Sequence, residues 1–454
     1  MKKHMKLIVA LAAVVALSVG LFAGCGGAAS DSAGSAAGEA AAGGKTITVA
    51  MVNNPITVAL SERIDKYEAE GVTVVADVLT EEDLRTKVTN MVSTGDATYD
   101  IYMVGGYETV QWKNNGWMLD IKPYMDKAPN ADTYDIDDIF PGILGFCQGD
   151  NGELFALPFY GESSYVMYNK EMVEKAGITI GDTCTFEDLD EWAAKLTDKK
   201  NNVYGFVARG NVGWGSCGAP FTTIVNNFGA TFYNDKYEAQ FDTPEMRKCF
   251  EYYSHMLNDY GPNDFANCSY NDCIQYMTSG QGALYYDATS IGQPIEADGS
   301  AMQGNTGYSY IKNTDWIWEW TFAVNPKTSN PQECVDFMMW ATSKDYVDMT
   351  MKEDPSGALT PNGTRASTFE RDDYKDIPYA KPSLDALNAA SYSPKNGSPY
   401  DQVQFAALPE WQDLGDYCTE QLNAYMTGQQ DLDTSIKNCN DYFNQVAKDS
   451  GYQQ

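Results

Sequence analysis

"KTITVAMVNNPITVALSERIDKYEAEGVTVVADVLTEEDLRTKVTNMVSTGDATYDIYMVGG", residues 45–106, decides the fold. "KTITVAMVNNP" alternates apolar and polar positions in the period of a strand and stops in a polar loop. Ile56 to Glu70 follows with helical spacing, "VTVVADVLT" is a second strand, "EEDLRTKVTNMVSTG" a second helix and "YDIYMVGG" a third strand. Strand, helix, strand, helix, strand is the sequence sign of a parallel sheet in an α/β fold. Ligands of such sheets sit at the carboxyl ends of the strands, which points at Asn53, Asn54 and the loop Gly105 to Glu108 with its Tyr107.

A second α/β unit starts further on. Residues 149–178 read as a hairpin turn, an apolar strand, a polar loop at 160–164, another strand and a helix. "TFEDLDEWAAKLTD" is an amphipathic helix with Thr185 as its N-cap and Asp188 three residues later. Residues 240–282 are mostly helical in pattern, "ALYYDATS" and "WEWTFAVNP" are strands, and "NPQECVDFMMWATSKDYVDMTM" is one long helix. Two helices, 408–427 and 431–449, close the chain.

Composition removes several function classes. With 31 Lys+Arg against 63 Asp+Glu, the net charge of -32 repels phosphate backbones and acidic headgroups, so nucleic acid is not an expected partner. Only two histidines occur, His4 and His255, too few for a histidine metal site and a poor basis for a Ser-His-Asp triad. There is no GxSxG elbow, P-loop or HExxH motif, so neither an enzyme nor a cofactor is expected.

The first 25 residues have lysines at 2, 3 and 6, a short apolar run, and small residues before Cys25. That is the order of a secretory signal, and the run is short for a membrane span. "LFAGC" resembles the bacterial lipobox, with Phe22 where Leu is usual, which implies lipidation at Cys25. Residues 26–44, rich in Gly, Ala and Ser, read as a flexible tether of roughly 25 Å reach. Nine cysteines remain beyond it, an odd number without a CxxC pair, and mostly free thiols are expected, with Cys268 and Cys273 as a conceivable bridge.

Five stretches in order, "ALPFYGESSYVMYNKEMVEKAGI", "TFEDLDEWAAKLTD", "GQGALYYDATS", "WIWEWTFAVNPKTSNPQECVDFMMWATSKDY" and "PNGTRASTF", resemble landmarks of the family-1 extracellular solute-binding proteins. These are the sugar-capturing subunits of bacterial ABC importers. "YYDATS", "WIWEW" and "TRASTF" are most similar to the branch that takes sorbitol, mannitol and related polyols. The resemblance implies a two-lobed α/β fold, each lobe a mainly parallel sheet flanked by helices, with the ligand in the cleft. It implies lobes of 45–160 plus 310–375 and 161–309 plus 376–454, with crossings near Pro158–Glu162, Tyr308–Trp316 and 360–385. It further implies a monomer serving ABC permease subunits, tethered to the outer face of the membrane by lipid alone.

A polyol offers hydroxyls on its edges and C–H groups on its faces, so its site needs aromatic surface and a ring of polar groups. Trp316, Trp318 and Trp320 alternate, so their indoles share one side of a strand. Trp318 is the expected platform, Trp320 the core filling, and Trp316 is open between the two. Tyr160 and Glu162 are placed at the first crossing. Asp287 is an expected hydroxyl acceptor with Thr289 beside it, and Arg365 is a fork of donors to vicinal hydroxyls, a holder of Asp287, or a lobe-bridging salt partner. Asn54, Tyr107 and Trp214 follow from loop position. "GSCGAPFTT" (215–223) and residues 391–406 are where ligand size is expected to be set. The alternatives are an oligosaccharide- or peptide-binding importer subunit and a surface adhesin or sensor.

Overall fold

A computed structural model describes residues 44–314, 316–390, 398 and 404–453. The secretory signal, Cys25, the tether and most of 391–406 lie outside the described residues. Among the described residues, nine strands form two sheets. β1 (Lys45–Val52), β2 (Val72–Leu79), β3 (Ile101–Gly105), β4 (Ala156–Glu162) and β9 (Trp318–Val324) build a five-stranded sheet in the order β2-β1-β3-β9-β4. β5 (Ser164–Asn169), β6 (Thr183–Cys184), β7 (Leu284–Ala288) and β8 (Thr306–Ile311) build a four-stranded one in the order β6-β8-β5-β7.

The two lobes of this α/β fold are centred on these sheets. β1 pairs in parallel with β2 and β3, as the strand, helix, strand order predicts. The sheets are nevertheless mixed: β9 runs against β3 and β4, and β5 runs against β7 and β8. Each reversed strand is the first after the chain passes from one sheet to the other, and each sits inside its sheet, so most pairings around it are antiparallel. Helix Glu81–Thr94 packs on the first sheet and helix Ala380–Ala389 on β5 and β8. The two C-terminal helices, Trp411–Met426 and Leu432–Asp449, pack on each other and on helix Pro244–His255.

Four elements depart from the sequence reading, each for a local reason. The first helix is only Pro55–Ser61, because beyond Ile64 just Tyr67 finds apolar neighbours, Phe337 and Trp340, and Gly71 at φ 74° turns the chain into β2. No loop occupies 160–164: β4 runs to Glu162 and a single residue, Ser163, separates it from β5. The long helix breaks into Pro331–Ala341 and Lys344–Glu353, since Ser343 accepts from the Tyr346 N–H at 3.1 Å and starts a second helix. Trp316 precedes β9 rather than belonging to it.

Thr185 does cap its helix, accepting from the Asp188 N–H at 3.1 Å while Asp188 accepts from the Thr185 N–H at 2.9 Å. All nine described cysteines are buried and free, Cys268 and Cys273 included. At the first crossing, Gly161 donates its N–H to the Asn362 carbonyl at 2.9 Å. A Cβ on Gly363 would stand 1.8 Å from the Gly161 oxygen, so two backbones meet there with no room for a side chain.

Candidate functional site

A cavity of about 220 Å³ is lined on one side by strands of the first sheet and on the other by loops and helices around the second. The first sheet presents β4 and β9 to it. Across that pair, Tyr160 stands opposite Trp320 and Glu162 opposite Trp318, so the four side chains share one face. A bulge between Pro158 and Tyr160 sets this register and brings Tyr160, not Phe159, opposite Trp320. Trp318 lies directly over Gly105, where an added Cβ would stand 2.2 Å from its ring. Trp316 also lines the cavity, and its buried Nε1–H has no hydrogen-bond partner among the described residues. Asn54 caps its helix by accepting from the Thr57 N–H at 2.9 Å and donates to the Tyr160 hydroxyl at 2.8 Å, placing both at the rim.

Two arginines reach the cavity from opposite sides. Arg85 sits on helix Glu81–Thr94, donating to Glu81 at 3.0 and 3.1 Å and pairing with Glu108. Its guanidinium lies 5.0 Å from the Trp214 ring, 5.1 Å from Trp320 and 6.0 Å from Trp318, a cage of three indoles. Arg209 comes from the second lobe. The segment Tyr204–Val207 runs beside β7 through parallel bridges to Gly282 and Tyr285, which delivers Arg209 next to Asp287. Its Nε and Nη2 donate to the two Asp287 oxygens at 2.9 and 2.5 Å, and Nη1 donates to the Gly215 carbonyl at 3.0 Å. Asp287 is fully buried and also accepts from the Tyr285 hydroxyl at 2.6 Å and the Ala288 N–H at 2.7 Å.

Glu162 is buried in the wall. Burial pushes its carboxyl up to about 7, against the Ser290 hydroxyl, which donates to it at 2.6 Å, and the Arg209 charge. On the other face of β9, Glu319 is wholly buried, and neither of its carboxylate oxygens has a hydrogen-bond partner among the described residues. Burial holds that carboxyl well above the ordinary range.

Residues 53–348 match the family of bacterial extracellular solute-binding proteins. The chain belongs to that family. This solute-binding protein is 29% identical over 424 residues to the mannitol-binding protein of Pseudomonas aeruginosa, covering 91% of this chain and 95% of that one. It is 28% identical over 355 residues to the erythritol/L-threitol-binding protein of Mycolicibacterium smegmatis, covering 72% of each. The solved ABC transporter solute-binding protein of Agrobacterium vitis S4 with bound D-mannitol superposes with a TM-score of 0.85 at 32% identity, covering 90% of this chain and all of that one (100%).

Of the sequence-derived residues, Trp316, Trp318, Glu162, Tyr160, Asn54 and Trp214 line the cavity of this solute-binding protein. Four others do not. Asp287 stands behind Arg209, its oxygens already taken. Thr289 ties β7 to the crossing by accepting from the Ser163 N–H at 3.1 Å. Tyr107 donates its hydroxyl to the Pro409 carbonyl at 2.8 Å and packs against Trp214. Arg365 is fully buried elsewhere, donating to the Thr342 and Asp135 carbonyls at 2.9 Å each and pairing with Asp138 at 3.2 Å, so it neither faces the cleft nor holds Asp287.

Asn53 is exposed, and Gly105 to Glu108 serve the strand end and the next helix rather than a ligand loop. Trp320, expected as core filling, lines the cavity instead. Arg85, Arg209, Tyr270 and Gln404 were not singled out from sequence. Only the position of Gln404 in 391–406 and of Gly215 and Ala219 in "GSCGAPFTT" gave a signal.

Proposed function

We propose that this chain is the substrate-capturing subunit of an ABC importer, held at the outer face of the membrane through a lipid on Cys25, and that it binds a small acyclic polyol. The observation that carries this reading is the cavity's polar inventory. Trp316 Nε1 and Gln404 Oε1 are buried without partners among the described residues, one a donor and one an acceptor. Arg209 keeps two of its five N–H groups free of the three bonds above. Buried polar atoms call for partners, and a hydroxyl both gives and accepts, so a chain of hydroxyls satisfies all of them at once. The indoles offer apolar surface to its C–H face.

Size supports the same class. A volume of about 220 Å³ is below the roughly 300–1,000 Å³ of drug-sized pockets, which favours a single small alditol over an oligosaccharide or peptide. The mannitol- and erythritol-binding relatives add weight for the branch. No helix of the described residues is long and apolar enough to cross a membrane, so any anchoring falls to the N-terminal segment.

Closure is part of the proposal: strands of the first sheet line one side of the cavity, and Arg209, Trp214, Tyr270 and Ser290, from loops and a helix around the second sheet, line the other, so a ligand touching both favours the closed form by its difference in affinity. The crossings at Ser163 and at 312–314 and 316–317, with the segment around Gly363 beside them, are the proposed hinge. The lobes then follow the boundaries given above to within a few residues.

The test uses residues 42–454, which form one compact unit. Its melting temperature is followed against D-mannitol, erythritol, ribitol, maltose and a tripeptide. A bound ligand stabilises by mass action, about 2.7 kcal/mol at one hundred times its Kd. A rise with one alditol alone is the expected result, and a rise only with maltose or peptide overturns the reading.

A further inference from the structure

We propose that the cleft selects uncharged alditols over their carboxylate counterparts, and that Asp287 is a specificity-determining residue that acts on this choice through Arg209 without touching the ligand. This rests on the polyol reading above. Four charged side chains line the cavity among the described residues: Glu81, Arg85, Glu162 and Arg209. Neither arginine carries surplus charge. Arg209 is matched by the fully buried Asp287 in a two-point pair, and Arg85 by Glu81 and Glu108. Glu162 adds an acid with no cation of its own.

A guanidinium of that kind is a rigid fork of donors aimed at hydroxyls, with its positive charge cancelled from behind. An aldonate entering the same space loses its hydration and meets Glu81 and Glu162 with no uncompensated cation to receive it. An alditol of the same length loses no charge hydration and makes the same hydroxyl contacts. Tyr285 and the Ala288 N–H hold the Asp287 carboxylate from two further directions, so it is fixed toward Arg209 and has no lone pair aimed at the cavity. Asp287 is therefore a positioning and charge-setting group.

The experiment is a competition between D-mannitol and D-mannonate at pH 8, read by calorimetry on residues 42–454. In the unaltered protein mannonate is expected at least 100-fold weaker. Asp287→Asn leaves Arg209 its charge and is expected to move the mannitol-to-mannonate ratio toward mannonate by tenfold or more. Asp287→Glu, which keeps the charge, is expected to restore rejection of the acid. A role in folding alone would weaken both ligands together and leave the ratio where it was.

Glu108→Gln removes one of the two carboxylates on Arg85 and serves as a second variant should Asp287→Asn fail to fold. It is expected to shift the ratio the same way by a smaller factor. Mannitol and mannonate binding alike in the unaltered protein, or an unchanged ratio in the folded variants, overturns the proposal. Absence of binding to any alditol, with another ligand class bound, removes the polyol reading itself and is a separate result.

Discussion

Arg85 and Arg209 bring the same chemical group to the same cavity by different means. Arg209 is held entirely within the second lobe: its carboxylate partner lies at the end of β7 and its carbonyl partner six residues along its own loop. Arg85 is held partly across the cleft, because Trp214 of the second lobe covers its guanidinium while Trp318 and Trp320 of the first complete the cage. The lesson is one of timing. Under the proposed closure, the Arg209 site is built when the lobe folds, and the Arg85 cage is finished only when the lobes meet.

Breaking the first half of that comparison gives the largest expected effect. Arg209→Ala strands a buried carboxylate and should cost about 3–5 kcal/mol in urea unfolding of the unit. Trp214→Ala breaks the second half. It should weaken ligand binding by roughly tenfold, in line with about 1–2 kcal/mol for a desolvated cation–aromatic contact, while moving the unfolding midpoint less than Arg209→Ala does. Scattering should show that variant more open with ligand present. A Trp214→Ala variant that unfolds as readily as Arg209→Ala would erase the distinction in timing.

Glu162 sharpens the comparison through pH. Its folded-state pKa of about 7 lies above the ordinary glutamate value of about 4.3, so between those limits the native state holds more protons than the unfolded one. Its contribution to stability is therefore greatest below about pH 4.5 and falls as pH rises toward 7. The difference between the parent and Glu162→Gln, followed by thermal unfolding from pH 4.5 to 8, should grow in favour of the variant. The smallest expected change is Thr185→Ala, far from both arginines. It loses an N-cap at about 1 kcal/mol and should leave ligand affinity where it was.

How much of this was legible before the structure depends on the distance a residue's role spans. β1, β2 and β3 were readable because short apolar runs broken by helical spacing are a local signal, and Thr185 because a cap lies within four residues of its partner. The break at Ser343 was also local and was missed, since an apolar run on both sides masks a single capping serine. Arg209 and Asp287 lie 78 positions apart, and nothing in either neighbourhood announces the other.

Arg365 shows the converse error. A motif fixed its place in the chain but not its direction, and the chain turns its guanidinium onto the Tyr134 ring at 4.7 Å and toward Asp138. Among the tryptophans, the shared side of Trp318 and Trp320 was readable from their alternation. The bulge in β4 that sets Tyr160, not Phe159, opposite Trp320 is not spelled out by the sequence.

Four of the chain's nine tryptophans, Trp214, Trp316, Trp318 and Trp320, border the cavity. Nearly half of the molecule's indoles therefore lie within contact range of whatever occupies the cleft. With a guanidinium set among three of those rings, a change in their separation alters both quenching and the local field at the indoles. The protein is thus its own optical gauge of occupancy, readable without a dye, and the same indoles that shape the cavity report its filling.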